Sequence, residues 1–254
     1  MKRLLLLITG LLLLFNLEGQ ILRYSYYTTP SEPEPPSPFP QVESITVTTA
    51  NSSDRTSHPV GIPATLEAGD LLVVFFACDG NPTLSIDEAN STADWTIASS
   101  YVSGTGVRGA VLWKIADDDV DTLTLTTSAA QISMEQTYRI SNYETSDPVS
   151  VTYSVWSSGE TPPTPPANTG GYGADDYLWI AAYAGDSYAS RAVTGPTDFT
   201  NLTITSVDVG GGCSVNSARR ELAIDGAYTP GVFVETAASV EEWVAFTVII
   251  NPIQ

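Results

Sequence analysis

A chain of 254 residues with 29 acidic and 10 basic side chains carries a formal net charge of −19. That imbalance repels nucleic acid and anionic membrane surfaces and sets both aside as partners. Hydrophobic residues make up 43 % and charged ones only 15 %, so a sizeable core is within reach while the surface leans on Thr, Ser, Asn and Gly.

The first predicted element is apolar. Lys2 and Arg3 precede Leu4, Leu5, Leu6, Leu7, Ile8, Leu11, Leu12, Leu13, Leu14 and Phe15, interrupted only by Thr9 and Gly10. The run is too short for a secure membrane span. As a secretion signal it has the right start and middle but a poor exit, with bulky Leu17 ahead of Gly19 where a small residue is wanted. As a retained assembly arm it forms a helix apolar on every side, which needs a partner to shield it. The arm, residues 1–28, is the reading carried forward. Its second part, "ILRYSYYTTP", adds Ile21, Tyr24 and Tyr26 as an extended interface candidate. Residues 29–41, "TPSEPEPPSPFPQ", follow as a stiff proline-rich stalk.

Residues 42–254 read as β throughout. "ESITVTTA" alternates, and "GDLLVVFFACDG" holds a continuous apolar run, the pattern of a central strand covered on both faces. Further strand phrases follow, separated by turn chemistry in "CDGNP", "ADDDVD" and "SDP". A proline- and glycine-rich stretch, residues 157–173, divides a first half (42–156) from a second (174–254). The halves resemble one another when Asp70 is set beside Asp176, Trp113 beside Arg220, and Ile140 beside Ile249. The expected fold is a jelly-roll-like antiparallel β-sandwich of two diverged halves, each burying its apolar face against the other. The expected core is Ile45, Leu72, Val74, Phe76, Leu112, Leu123, Leu125, Ile140, Trp179, Val234, Trp243 and Ile249.

Chemistry-bearing motifs are sparse. His58, the one histidine, lies in "DRTSHPVG" beside Asp54 and Ser57 and reads as a loop or surface residue, not a base. There is no GxSxG elbow, and "GGGCS" lacks the lysine of a phosphate loop. No catalytic residue and no cofactor are expected. Asp117, Asp118, Asp119 and Asp121 crowd one turn; a solvated acidic turn is the preferred reading, with calcium the weaker one. Cys78 and Cys213 are either two buried thiols or one disulfide. Trp95, Tyr101, Trp156, Tyr183 and Tyr188 border turns or strand ends and are candidates for a surface-binding edge.

The stretches "AGDLLVVFFACDGNPTLS", "GAVLWKIADDDVDTLTLTTSAAQISMEQTYRIS", "GADDYLWIAAYAG" and "EEWVAFTVIINP" resemble a β-sandwich family found in tailed-phage virion-associated structural proteins and in some secreted bacterial proteins of unknown role. The resemblance covers strand phrases and implies fold more than role. It implies a non-enzymatic virion structural protein: a surface-exposed capsid-decoration, head-fibre or tail component, anchored by its arm to other virion proteins and forming a homo-oligomer. The alternatives are a secreted adhesin or carbohydrate-binding module touching a host surface or glycan, or a subunit of a cellular surface filament.

Overall fold

The computed structural model describes residues 39–48, 53–117, 120–157, 162–173, 175–186, 192–207, 211–235 and 242–254. The arm residues Leu4–Phe15, Ile21, Tyr24 and Tyr26 lie outside them, as do Asp118, Asp119 and Tyr188.

The described residues form an all-β fold of antiparallel sheets packed on one another. One five-stranded sheet has the order β1 (Gln41–Val47), β8 (Ser133–Ser141), β3 (Leu71–Asp79), β6 (Val107–Ile115), β5 (Thr96–Ser103). A second has the order β13 (Thr200–Ser206), β14 (Cys213–Ile224), β11 (Asp175–Asp186), β17 (Trp243–Ile250), β9 (Val149–Trp156). A three-stranded sheet, β2 (Arg55–Pro59), β7 (Thr124–Gln131) and β4 (Leu84–Ile86), covers the first. Two short ribbons lie on the second: β10 (Asn168–Thr169) with β15 (Ala227–Tyr228), and β12 (Val193–Thr194) with β16 (Val234–Glu235).

Sequence explains the central strands. β3 is Leu, Val, Phe and Ala for seven residues, side chains that fit a pleated sheet buried on both sides. It is bounded by Gly69 (φ 89°) and Gly80 (φ 71°), where the backbone turns through a region other residues avoid. β11 repeats the plan with "YLWIAAYAG".

The two five-stranded sheets face each other. Leu71, Val73, Phe75, Val111, Met134 and Ile140 meet Leu178, Ile180, Val215, Phe246 and Val248 in the largest apolar cluster. β14 lies over β3 and β8, and β9 lies over β5. Gly109 on β6 permits a close approach of the two sheets: a Cβ there would stand 2.9 Å from Ala184 Cβ and 3.0 Å from Val244 Cβ. Buried polar groups tie the same faces. Gln136 Nε2 donates to Val215 O and Thr205 Oγ1, both at 2.9 Å, and the Tyr138 and Ser217 hydroxyls share a hydrogen bond of 2.6 Å.

This layering corrects the expected core. Leu72, Val74, Phe76, Leu112, Leu123 and Leu125 are buried, but against the three-stranded sheet and not between the halves. Trp179, Ile249 and Trp243 are buried under the ribbons of the second sheet. Ile45 is half-buried, and Val234 is 47 % exposed. Each half therefore supplies its own covering layer; neither is a single sheet with one apolar face.

The division of the chain also differs. β9, placed by sequence at the end of the first half, pairs along its whole length with β17 in the second sheet. The proline- and glycine-rich stretch resembles a boundary by composition. It carries the chain from β9 in a long sheet to β10 in a ribbon, a crossover between layers.

Candidate functional site

β5 and β9 are edge strands of the two facing sheets and lie side by side. Their sequences, "TIASSYVS" and "VSVTYSVW", contain no charged residue and no proline. Tyr101 and Tyr153 stack across the gap with ring centroids 3.3 Å apart and planes inclined by 17°. The Tyr101 hydroxyl beside it raises the pKa of the Tyr153 phenol. Tyr101, Tyr153 and Val155 are between 38 and 44 % exposed at this gap, an apolar strip on a molecule of net negative charge. Ile97 and Trp156, also exposed, pair with Leu112 and Trp243 and so lie on the outer faces of their sheets.

The strip is held by polar contacts between the halves. Ser103 Oγ, at the end of β5, donates to the Trp156 carbonyl. In the turn after it, where Gly104 adopts φ 52°, the Gly106 amide donates to the Glu242 carboxylate. Within the first half, the Arg108 side chain reaches back to Ser100 Oγ at 2.8 Å.

Of the aromatic residues singled out from sequence, Tyr101 and Trp156 are exposed on these two strands but on different faces: Tyr101 stacks on Tyr153 in the gap, and Trp156 lies opposite Trp243 on the ribbon side of the second sheet. Trp95 is buried, its indole donating to Thr122 O at 3.0 Å, and it lines a cavity of about 340 Å³ with Ile86, Glu88 and Asp94. Tyr183 is buried between the second sheet and the ribbon over it, its hydroxyl donating to Glu235. Both were expected at a surface; their neighbours in space, not in sequence, cover them. Tyr153 and Val155 were missed. The signal available was the absence of charge from two whole strands.

A second constellation is buried between the first sheet and its cover. His58, expected on a loop, is fully buried on β2. Its ring nitrogens face Ser133 Oγ and Thr127 Oγ1, each at 2.9 Å, and Phe76 meets the ring edge-on. Ser133 Oγ donates to Glu135 Oε1 at 2.5 Å, and Thr127 Oγ1 donates to Ala129 O at 2.8 Å. Burial, with the charge of Arg55, lowers the His58 pKa to about 4. Burial raises Glu135 to about 7, against the pull of the Ser133 and Thr48 hydroxyls and the charge of Arg55. The sequence neighbours Asp54 and Ser57 take no part: both are exposed, and the two hydroxyls facing the His58 ring come from β7 and β8.

The acidic turn has a protein cation in it. Lys114 Nζ, buried on β6, lies 2.8 Å from Asp117 and 2.7 Å from Asp121, and donates to Ala93 O at 2.9 Å. An ammonium thus occupies the place between these carboxylates where a metal ion would sit. The cysteines are both free and buried. Cys78 faces the covering sheet and Cys213 faces the inter-sheet core, so the first sheet separates them.

Comparison with protein-family models, with curated proteins and with solved structures finds no match to this chain.

Proposed function

We propose that this chain is a non-enzymatic structural protein of a virion surface, of the capsid-decoration, head-fibre or tail kind, with its β body held away from the particle by the proline-rich stalk and seated by the apolar arm. The observation that carries the reading is the recurrence of one strand plan. In the first half β1, β3, β5, β6 and β8 build the long sheet while β2, β4 and β7 build the cover; in the second, β9, β11, β13, β14 and β17 build the long sheet while β10, β12, β15 and β16 lie on it. Each half is in this reading a jelly-roll unit, with its long sheet ordered as first, last, third and sixth strand plus an added edge. Two such units fused sheet to sheet make a block braced by a buried interface. An acidic, threonine-rich exterior suits display at high copy number.

The test is incorporation. Full-length chain and a variant lacking residues 1–28 are expressed during particle assembly, and purified particles are assayed by mass spectrometry. Full-length chain is expected in the particles and the truncated one in the soluble fraction, folded by circular dichroism. Truncated chain incorporated at the full-length level would remove the arm's role, and absence of both from particles would remove the virion assignment.

The exposed Tyr101, Tyr153 and Trp156 favour one second reading, a secreted adhesin or carbohydrate-binding module. A mature N-terminus near Gln20 would select it; peptides covering Leu4–Phe15 would select the arm.

A further inference from the structure

We propose that the β5–β9 edge is a self-association surface, on which a second copy of this chain adds its own β9 antiparallel to the first and continues the second sheet across a two-fold axis. The proposal deepens the reading of the chain as an assembly component and rests on it for its purpose.

Three observations favour a second copy as the occupant. First, a chain of net charge −19 repels its own copies everywhere its surface is charged. β5 and β9 are without charge along their full eight residues each, so two copies approach along these strands with no carboxylate on either of them. Second, β9 pairs with β17 in unbroken register from Val149↔Ile250 to Trp156↔Trp243. Its free edge is therefore straight, and it lacks the lysine, proline or bulge by which sheets discourage edge pairing. The opposite side of the molecule is protected. There β1 carries Glu43 and shifts register between Val42 and Ser44, and β13 shifts between Thr200 and Thr203, with Asn201 at φ 52°. β5 itself shifts register at Ile97/Ser99, which leaves β9 as the pairing strand and β5 as the flank. Third, the exposed side chains on the strip include Val155 beside Tyr101 and Tyr153. Aliphatic groups bury well against a like surface and offer a sugar no hydrogen bond.

The isologous arrangement sets Tyr153, near the middle of β9, close to its counterpart in the second copy. Full-length Tyr153→Cys is treated with a short bismaleimide, with Ser85→Cys on the far covering sheet as control; the native thiols are buried. Covalent dimer is expected at position 153 in several-fold excess over position 85, and its yield is expected to fall at least tenfold when Val155→Glu is added. Circular dichroism establishes that each variant is folded. Since the linker reports only on β9, this readout is separate from association through the arm. Equal cross-linking at both positions, a yield unchanged by Val155→Glu, or glycan binding by a monomeric chain that Tyr101→Ala abolishes would each overturn the proposal.

Discussion

His58 and Glu135 lie two hydrogen bonds apart, joined through the hydroxyl of Ser133, inside the first half of the molecule. Ser133 Oγ donates to Glu135 Oε1 and faces His58 Nδ1, while Nε2 faces Thr127 Oγ1, which donates to Ala129 O; the second carboxyl oxygen, Glu135 Oε2, is buried without a hydrogen-bond partner. A carboxyl raised from 4.5 to about 7 contributes stability that is complete below pH 4.5 and is lost as pH rises through 7. A histidine lowered from 6.5 to about 4 contributes stability that is complete above pH 6.5 and is lost as pH falls through 4. The two slopes cancel between about pH 4.5 and 6.5. Glu135→Gln removes one of them. The stability of this variant relative to wild type is expected to grow by roughly 3 kcal/mol between pH 4.5 and 7, and to stay level on either side. Urea melts across that range measure it, and a difference constant with pH would exclude ionisation of Glu135 as the cause.

Gly109 sets the spacing of the halves. A methyl group there meets Ala184 and Val244 below the distance that carbon atoms tolerate. Gly109→Ala is expected to cost about 1–3 kcal/mol through overpacking, whereas Gly226→Ala, with nothing within 4 Å, disturbs no packing and costs only what its φ of 107° imposes. Thermal melts of the two variants compare a steric with a backbone cause.

Lys114 neutralises a carboxylate as buried as itself: the side chains of Lys114 and Asp121 are each 1 % exposed. Lys114→Met leaves Asp121 in place without its counter-ion and is expected to lower stability by about 3–5 kcal/mol. Lys114→Met combined with Asp121→Leu is expected to recover most of that. For the same reason millimolar calcium is expected to leave the melting temperature of the wild-type chain unchanged; an upward shift would mean that the ion displaces the ammonium.

The two thiols are predicted to be inert in the native state. Burial pushes Cys78 up to about 12 and raises Cys213 well above its ordinary value, so neither supplies thiolate at neutral pH. Ellman's reagent is expected to label neither residue until denaturant is added and then to label both. Reducing agent is expected to leave the melting temperature unchanged, because no disulfide joins them.

Several features of the fold were legible one residue at a time. "LLVVFFA" announced a strand buried on both faces, and β3 is that strand. The turns in "CDGNP" and "SDP" separate strands where composition placed them. Of the aromatics that border turns or strand ends in the sequence, Tyr101 and Trp156 are exposed. His58 was not legible, because its burial is made by Thr127 and Ser133, some seventy positions away along the chain.

The likeness of the halves shows where sequence runs out. Alignment sets Leu71 beside Tyr177, Met134 beside Trp243 and Ile140 beside Ile249. In space Leu71, Met134 and Ile140 point into the inter-sheet core, whereas Tyr177, Trp243 and Ile249 point away from it. The strand order recurs, but this alignment is out of phase by one residue, and one residue turns every side chain of a strand to the opposite face. A run that is apolar at every position has no alternation to fix its phase. Composition and periodicity thus determined that the chain is all-β, with central strands covered twice and a net negative charge. Which face of each strand meets which layer, and which two edges come together at Tyr101 and Tyr153, depended on contacts between residues far apart in the chain, and those exist only once the sheets have packed.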